Sequence, residues 1–466
     1  MRRMTALWTM EDLLGATGGT ASGHFDAQGV AFDSREIGAG DLFFALKGAE
    51  TDGHRFVDTA FAHGAAGAIV SESIAHPHIL VPDTMQALEA LGHASRARTS
   101  AKIIGVTGSA GKTGTKEAIY ASLDRCSRGR AHRSVKSYNN HVGVPLSLAR
   151  MPSDTAFGIF EMGMNHAGEM RELSKIVRPE IAIITTIAPA HIEFFKDEAG
   201  IADAKAEIFE GLTKGGAAIL PADNFHYPRL RAAAEKYADT ILTFGLSADA
   251  DVRVLTHMPS SCGGSLVTAQ VCDAILSFTL SQPGEHWVAN SLAVLAAVYA
   301  ADGDLAAAGL AMAEMDGLAG RGARHKIRIK AGNGLLIDES YNANPASMAA
   351  TIGQLGRTTG DGRRVAVLGA MKELGANSAE YHAALARPLA DAKVNFAILV
   401  GEEMKNLSQP LKAGVEGPAE FAHCATAHEA LDLLQNYIRA SDTILVKGSN
   451  SMGLSAIVSA LTDGEN

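Results

Sequence analysis

The sequence predicts an α/β protein of three units: a small α/β unit over 1–98, a central mostly parallel sheet over 99–318, and a smaller mostly parallel α/β unit over 319–466. Three observations predict it. The chain has 466 residues, and at roughly 150 residues per domain that is about three. Short apolar strands ending in Gly or a charged residue alternate with helical stretches, the βαβ pattern of a doubly wound sheet. A Gly-rich turn within Thr-Gly-Ser-Ala-Gly-Lys-Thr-Gly-Thr-Lys, over 107–116, lies between a strand and a helix, where such a sheet places an anion site.

The elements follow in order. In the first unit, strands are expected over 41–46, over the end of 64–70, and over 78–81. Leu88 and Leu91, three apart, mark a helix over 84–97. The central unit opens with a strand over 102–107 and a helix from 116 to 123. Further strands fall at 155–161, 181–187 and 216–220. A polar, irregular stretch over 245–285 contains a candidate hairpin or strand pair, and an Ala/Leu/Val-rich helix covers 290–300. The third unit has strands over 335–338, 364–369, 395–401 and 443–447, with helices between them.

Composition excludes some classes of function. Lys and Arg number 41 against 51 Asp and Glu, a net charge of −10. Such a chain has no overall attraction to nucleic acid or to an anionic membrane. No apolar run approaches ~20 residues, so no membrane span is expected. The first ten residues lack the apolar core of a signal peptide. Cys126, Cys262, Cys272 and Cys424 are scattered without metal or disulfide spacing, which points to the cytoplasm.

The sharpest chemistry lies in Gly108, Ser109, Ala110, Gly111, Lys112, Thr113, Gly114 and Thr115. Glycines let backbone N–H groups face phosphates, and the helix start adds unpaired donors and a favourable dipole. Lys112 would reach the β- and γ-phosphates, and the Thr113 hydroxyl would hold Mg²⁺. The motif is shortened, with Val106 where the longer form has Gly. It implies a nucleotide without naming the reaction.

Other candidates carry two readings each. Glu161 ends a strand beside this loop; it is a metal-binding acid or a solvent-facing one. His191 follows a strand; it binds a cation, orients a phosphate, or makes a backbone hydrogen bond. Lys205 reads as a solvated helix lysine. Arg321, between Gly320 and Gly322, clamps a phosphate across a domain cleft or is a linker charge. Asp338 to Pro345 is a strand end followed by a turn dense in hydrogen-bonding groups, including Tyr341, Asn342 and Asn344. It contacts a ligand or caps a helix. Lys447 follows a strand and could meet an anion, and Asn139 and Asn140 form a polar cluster.

Taken together these segments resemble the Mur ligase family over essentially the whole chain. The segments that carry the likeness are Asp33-Ser34-Arg35, the run over 40–46, Asp52-Gly53-His54-Arg55-Phe56, the phosphate loop, and Tyr138-Asn139-Asn140 with Gly143-Val144-Pro145. The context of Glu161, Ala188-Pro189-Ala190-His191, Ala204-Lys205-Ala206, Ser340 to Pro345, and the run over 368–375 complete it. The Ser340–Pro345 and 368–375 segments are those of the branch that adds a dipeptide, and no Asp-Asn-Pro-Arg string of the amino-acid-adding branch occurs.

The resemblance implies an ATP-dependent amide ligase that joins D-alanyl-D-alanine to UDP-N-acetylmuramoyl-tripeptide through an acyl phosphate, in peptidoglycan precursor synthesis. It implies that the first unit binds the UDP-sugar through Ser34, Arg35 and Lys47. The central unit binds ATP, and a Rossmann-like third unit binds the dipeptide and closes on ATP. It implies metal ligation by Thr113, Glu161, His191 and a carbamylated Lys205 (N-carboxylysine), which reverses the composition-based reading of that lysine. It further implies two Mg²⁺ ions, an adenine contact from Asn290, a γ-phosphate contact from Arg321, an Asp338 near the ribose or phosphates, and a monomer. Four positions depart from the family pattern: Gly114 for a hydroxyl residue, His141 for Glu, Trp287 for Asn, and Ala370 for an acid. Two rivals stand beside this reading. One is another enzyme of the superfamily, such as a folylpolyglutamate synthetase, and the other is a P-loop ATPase acting as a motor or switch.

Overall fold

The structure, a computed structural model, describes residues 6–48, 50–260, 264–329, 332–358, 362–413, 417–418 and 420–462. These form three sheets of five, nine and six strands. The first orders Thr20–Ala21, His78–Leu80, Gly67–Val70, Leu42–Phe44 and Val30–Ala31, parallel except for its first pair. Leu42, Phe43 and Phe44 are all fully buried, because helices and loops cover both faces of this parallel run.

This unit is anchored to the central one by polar contacts at the end of the helix Thr84–Ala97. The Arg96 guanidinium donates to the carbonyls of Val177 and Arg178 and pairs with Glu180 at 2.6 Å. Arg98 lies over the Trp8 ring at 3.4 Å from its centroid. The Trp8 indole N–H donates to the Ala149 carbonyl at 2.7 Å.

The central sheet runs Ala274–Leu280, Ser265–Val271, Val252–Pro259, Thr240–Gly245, Ala217–Pro221, Ile181–Ile184, Lys102–Thr107, Phe157–Glu161 and Ala131–Arg133. The hairpin expected within 245–285 is present as the antiparallel pair Ser265–Val271 and Ala274–Leu280. It is joined to the parallel strands by Val252–Pro259, a strand the polar composition concealed. Several element ends differ from expectation, three of them beside the phosphate loop. The helix after the phosphate loop begins at Lys112 rather than 116, since Gly111 at φ +81° turns the chain directly into it. The strand from Ile181 stops at Ile184, because Thr185 to Ala188 turn aside to hydrogen-bond the loop at Thr107 and Ser109. The helix expected from 290 begins at Glu285.

The third sheet orders Ala323–Ile329, Gly332–Glu339, Thr443–Lys447, Arg364–Gly369, Phe396–Val400 and Glu420–Cys424. Its first pair is antiparallel and the rest parallel. In the central sheet the chain order reverses around Lys102–Thr107. In the third it reverses around Thr443–Lys447. Ligands of open α/β sheets bind outside the carboxyl ends of strands at such points, and here the two sets of strand ends face one another across a single cavity. No helix among the described residues is long and apolar enough to cross a membrane. Cys126, Cys272 and Cys424 are free thiols, and Cys262 lies outside the described residues.

Candidate active site

A cavity of about 1090 Å³ opens between the central and third units. Its floor is the phosphate loop. Gly108 has φ +148°, and a Cβ there would stand 1.9 Å from Thr185 Oγ1, so only glycine passes. Gly111 caps the helix Lys112–Ser127 without any side-chain acceptor, which leaves the N–H groups of the first turn free for an anion. Lys112 lines the cavity and donates to the Gly108 carbonyl at 2.7 Å. Burial pushes its ammonium below the usual lysine value, while Glu161 opposes that and Arg321 adds to it.

Beside the loop, Glu161 is 1% exposed. One carboxylate oxygen accepts from Thr113 Oγ1 at 2.9 Å and the other from Asn139 Nδ2 at 2.8 Å. Lys116 Nζ stands 4.0 Å from it. A hydroxyl and a carboxylate oxygen side by side at the end of a phosphate loop are the hard oxygen donors that Mg²⁺ takes, with phosphate oxygens and water completing its shell. The donor set fits. No cluster of three or more His, Cys, Asp or Glu side chains suited to a metal occurs among the described residues, so a cation held here would need Thr113 and phosphate oxygens as well as the acid.

Lys205 is buried, contrary to its reading as a solvated lysine. The helix Glu198–Ala206 points it inward, among a central core that includes Ile201, Ala202 and Ile208. Burial lowers its ammonium well below the ordinary value, and the Lys112 charge lowers it further. His191 lines the cavity, and its Nδ1 is hydrogen-bonded to the Glu373 carboxylate of the third unit.

The third unit supplies the opposite wall. Arg321 lies 4.3 Å over the Tyr341 ring and donates to Ser137 Oγ at 3.3 Å. Asn344 caps the helix Pro345–Gly356 through the Ser347 N–H, and its Nδ2 also reaches the Ser109 carbonyl of the phosphate loop at 3.3 Å. Lys447 is 2% exposed; its Nζ donates to the Asn342 carbonyl at 2.9 Å and to Glu339 at 3.4 Å. Burial depresses its ammonium, against the pull of Glu339.

Ser109, Ala110, Gly114, Asn139, Asn140 and Asn290 line the same cavity, as do Tyr341, Asn342 and the departures His141 and Trp287. Other candidates stand apart from it. Asp338 is buried and accepts from the Gly320 N–H at 2.6 Å and from Ser340, so it fixes the loops that carry Arg321 and Tyr341. Thr115 is buried behind the loop with its hydroxyl unpartnered.

Ser34 is buried in the first unit. Arg35 is exposed and paired with Asp33, whose carboxyl this contact pulls down to about 2. Lys47, also exposed, pairs with Glu72 at 3.3 Å. These three lie outside the cavity. Ser137, Asn224 and Glu373 were not singled out by sequence. Their partners Arg321, Ile187 and His191 are distant along the chain or lie in loops without periodicity.

Known proteins share this fold. The Mur ligase middle domain matches residues 106–298. The Mur ligase, glutamate ligase domain matches 324–450, and the Mur ligase family, catalytic domain matches 26–127. The chain is 34% identical over 436 residues to the UDP-N-acetylmuramoyl-tripeptide–D-alanyl-D-alanine ligase of Escherichia coli K12, covering 93% of each chain. The crystal structure of MurF from Acinetobacter baumannii superposes with a TM-score of 0.83 at 30% identity, covering 98% of this chain and 99% of that one. The MurF ligase of Thermotoga maritima in complex with ADP gives a TM-score of 0.76 at 25% identity, covering 93% and 97%. Likeness in sequence across nearly the whole length has one reading: the chain belongs to the Mur ligase family.

Proposed function

We infer that this chain is an ATP-dependent ligase that joins D-alanyl-D-alanine to UDP-N-acetylmuramoyl-tripeptide in peptidoglycan precursor synthesis. The observation that carries the reading is the cavity in which the phosphate loop with Lys112 faces Arg321 and Lys447 of the third unit. The family relationship narrows the reaction, since the relatives named for this ligation cover the chain almost end to end.

Two anions must meet in this reaction, the peptide carboxylate and the ATP tail. Lys112 and Arg321 offset their repulsion and stabilise the transferring phosphoryl group, and the uncapped helix start at Lys112 adds its N–H groups. The peptide carboxylate oxygen bonds to the γ-phosphorus as the bond to ADP breaks. The amine of D-alanyl-D-alanine then bonds to the acyl carbon, loses a proton, and phosphate leaves. Asn344, reaching the loop carbonyl from the third unit, helps exclude water from the acyl phosphate. Asn290, in the first turns of its helix against Gly111, serves the adenine. Asp338, Tyr341 and Asn342 shape the ribose side.

Thr113 and Glu161 would hold Mg²⁺, and His191 and Lys205 would hold a second ion; bound there, the metal would supply charge neutralisation for the phosphates. The buried Lys205 amine is readily deprotonated. In that form it adds to CO₂, forming an N–C bond and releasing a proton, and the carbamate brings an anion into the core. Ser34, Arg35 and Lys47 bind the UDP-sugar in the unit over 1–98. The unit over 99–318 binds ATP, and the unit over 319–466 binds the dipeptide. The enzyme works as a cytoplasmic monomer.

The test is phosphate release from ATP and Mg²⁺ with UDP-N-acetylmuramoyl-tripeptide, adding the dipeptide last and weighing the product. Release that needs both substrates, with a mass gain of one dipeptide, supports the reading. ATP consumed without the dipeptide, or with a single amino acid or a folate in its place, overturns it.

A further inference from the structure

The segment that carries His191 leaves the central sheet and is seated in the third unit. His191 has φ +60° and Glu373, facing it, has φ +63°. Non-glycine residues pay for that conformation, and such strain persists where the surroundings enforce it. The enforcing contacts are present. The Glu193 N–H donates to the Glu373 carbonyl at 3.2 Å. Ile192 packs against the apolar cores of both the central and the third unit. A Cβ on Gly375 would stand 3.2 Å from Glu193 Cα, and Gly375 itself has φ +58°. The two short segments are therefore built to fit one another, and the His191–Glu373 hydrogen bond sits at the centre of that fit.

An imidazole whose Nδ1 is held by a carboxylate has a fixed tautomer and ring orientation. Its proton lies on Nδ1, and the lone pair is on Nε2. His191 lines the cavity from the central unit, while the group holding its Nδ1 comes from the third. The imidazole is thus oriented only while the third unit is seated.

We propose that Glu373 is a positioning residue for the ligase reaction: by holding His191 Nδ1 from the third unit, it presents Nε2 to a divalent cation when the two units are together. This rests on the reading of the chain as a Mg²⁺-dependent ligase. Opening of the third unit releases the imidazole, so cation affinity at this position and domain closure are linked.

The test uses the full chain with Glu373→Ala and Glu373→Gln, each alone and combined with His191→Ala. Mn²⁺ binding in the presence of ADP is read by electron paramagnetic resonance, and kcat and KM are measured in the ligase assay. Removing an outer carboxylate typically costs about 10–100-fold in metal affinity or activity. Glu373→Ala is expected to weaken Mn²⁺ binding and lower kcat within that range, with KM for the UDP-sugar peptide unchanged. Glu373→Gln, which keeps an acceptor oxygen, is expected to lose less. In the His191→Ala background, substituting Glu373 is expected to add nothing.

Unchanged Mn²⁺ affinity in a folded Glu373→Gln and Glu373→Ala pair overturns the proposal. So do losses from the two sites that simply multiply. Should Glu373→Ala fail to fold, the isosteric Glu373→Gln decides by the same two readouts. Mn²⁺ binding is measured without turnover, so failure of the wild-type ligase assay would count against the functional reading and leave this comparison standing.

Discussion

The Trp287 indole closes over Gly114: a Cβ on that glycine would stand 3.0 Å from the ring carbon Cη2. Two of the four departures from the family pattern are therefore one steric unit, a small residue on the phosphate-loop helix beneath a large one on the helix Glu285–Ala300. Gly114→Ser is expected to overpack this contact and cost about 1–3 kcal/mol in stability. Combining it with Trp287→Asn, which empties the space, is expected to restore much of that loss. Thermal melts of the two single variants and the double one check this; strictly additive losses would deny the coupling.

Lys112→Ala removes an ammonium that lines the cavity with Arg321 and is proposed to meet the phosphates. Turnover is expected to fall at least ~100-fold, corresponding to ~2.7 kcal/mol of lost transition-state stabilisation. Steady-state ATP hydrolysis in the complete ligase assay is the measurement, and near-normal turnover would remove Lys112 from the phosphate site.

Lys205→Ala is expected to be nearly inactive and partly rescued by short-chain carboxylates, which would replace the proposed carbamate anion in the space the side chain vacates. The buried position of Lys205 makes this test informative, since a surface lysine would tolerate alanine. Activity assays with and without added acetate or formate read it out. High activity without rescue contradicts the carbamate.

Replacing Ser34 and Arg35 together is expected to raise KM for the UDP-sugar peptide with little change in KM for ATP. Their place in the first unit, away from the cavity between the other two, predicts this split. An unchanged KM for the UDP-sugar peptide rules out their role in binding it.

Stability should carry a signature from His132. Burial pushes its imidazole down to about 4, and the neutral ring is hydrogen-bonded to the Ser147 carbonyl at 2.8 Å. The unfolded chain takes up this proton near pH 6.5, the folded chain only near 4. The contribution is therefore complete above pH 6.5 and is lost as pH falls from 6.5 towards 4, by at most about 3 kcal/mol. Urea denaturation over this range should show a shallower pH dependence in His132→Gln than in the parent chain.

The local elements were legible because their causes are local. Lys102–Thr107, Arg364–Gly369, Thr443–Lys447 and the helix Thr84–Ala97 have the bounds that apolar runs, turn glycines and helical spacing predict. The phosphate loop was legible for the same reason, since its glycines, lysine and helix start are consecutive. The strands Val252–Pro259 and Ala323–Ile329 were not, because exposed polar positions dilute their apolar alternation.

Relations between distant residues had to await the tertiary structure. Arg321 meets Ser137, Asn344 meets Ser109, and His191 meets Glu373 across 184, 235 and 182 positions of sequence. Lys205 reads as a surface lysine because its helix carries polar residues on both sides; packing of that helix into the core of the central unit buries it. Gly114 and Trp287 are far apart in sequence and are joined only by the packing of their two helices. The sequence by itself determined the α/β class, the three-unit architecture and the position of the phosphate loop. Tertiary packing decided which side chains share the cavity, which are buried, and which charges lie close enough to shift one another, since those depend on how units assemble and no local pattern records it.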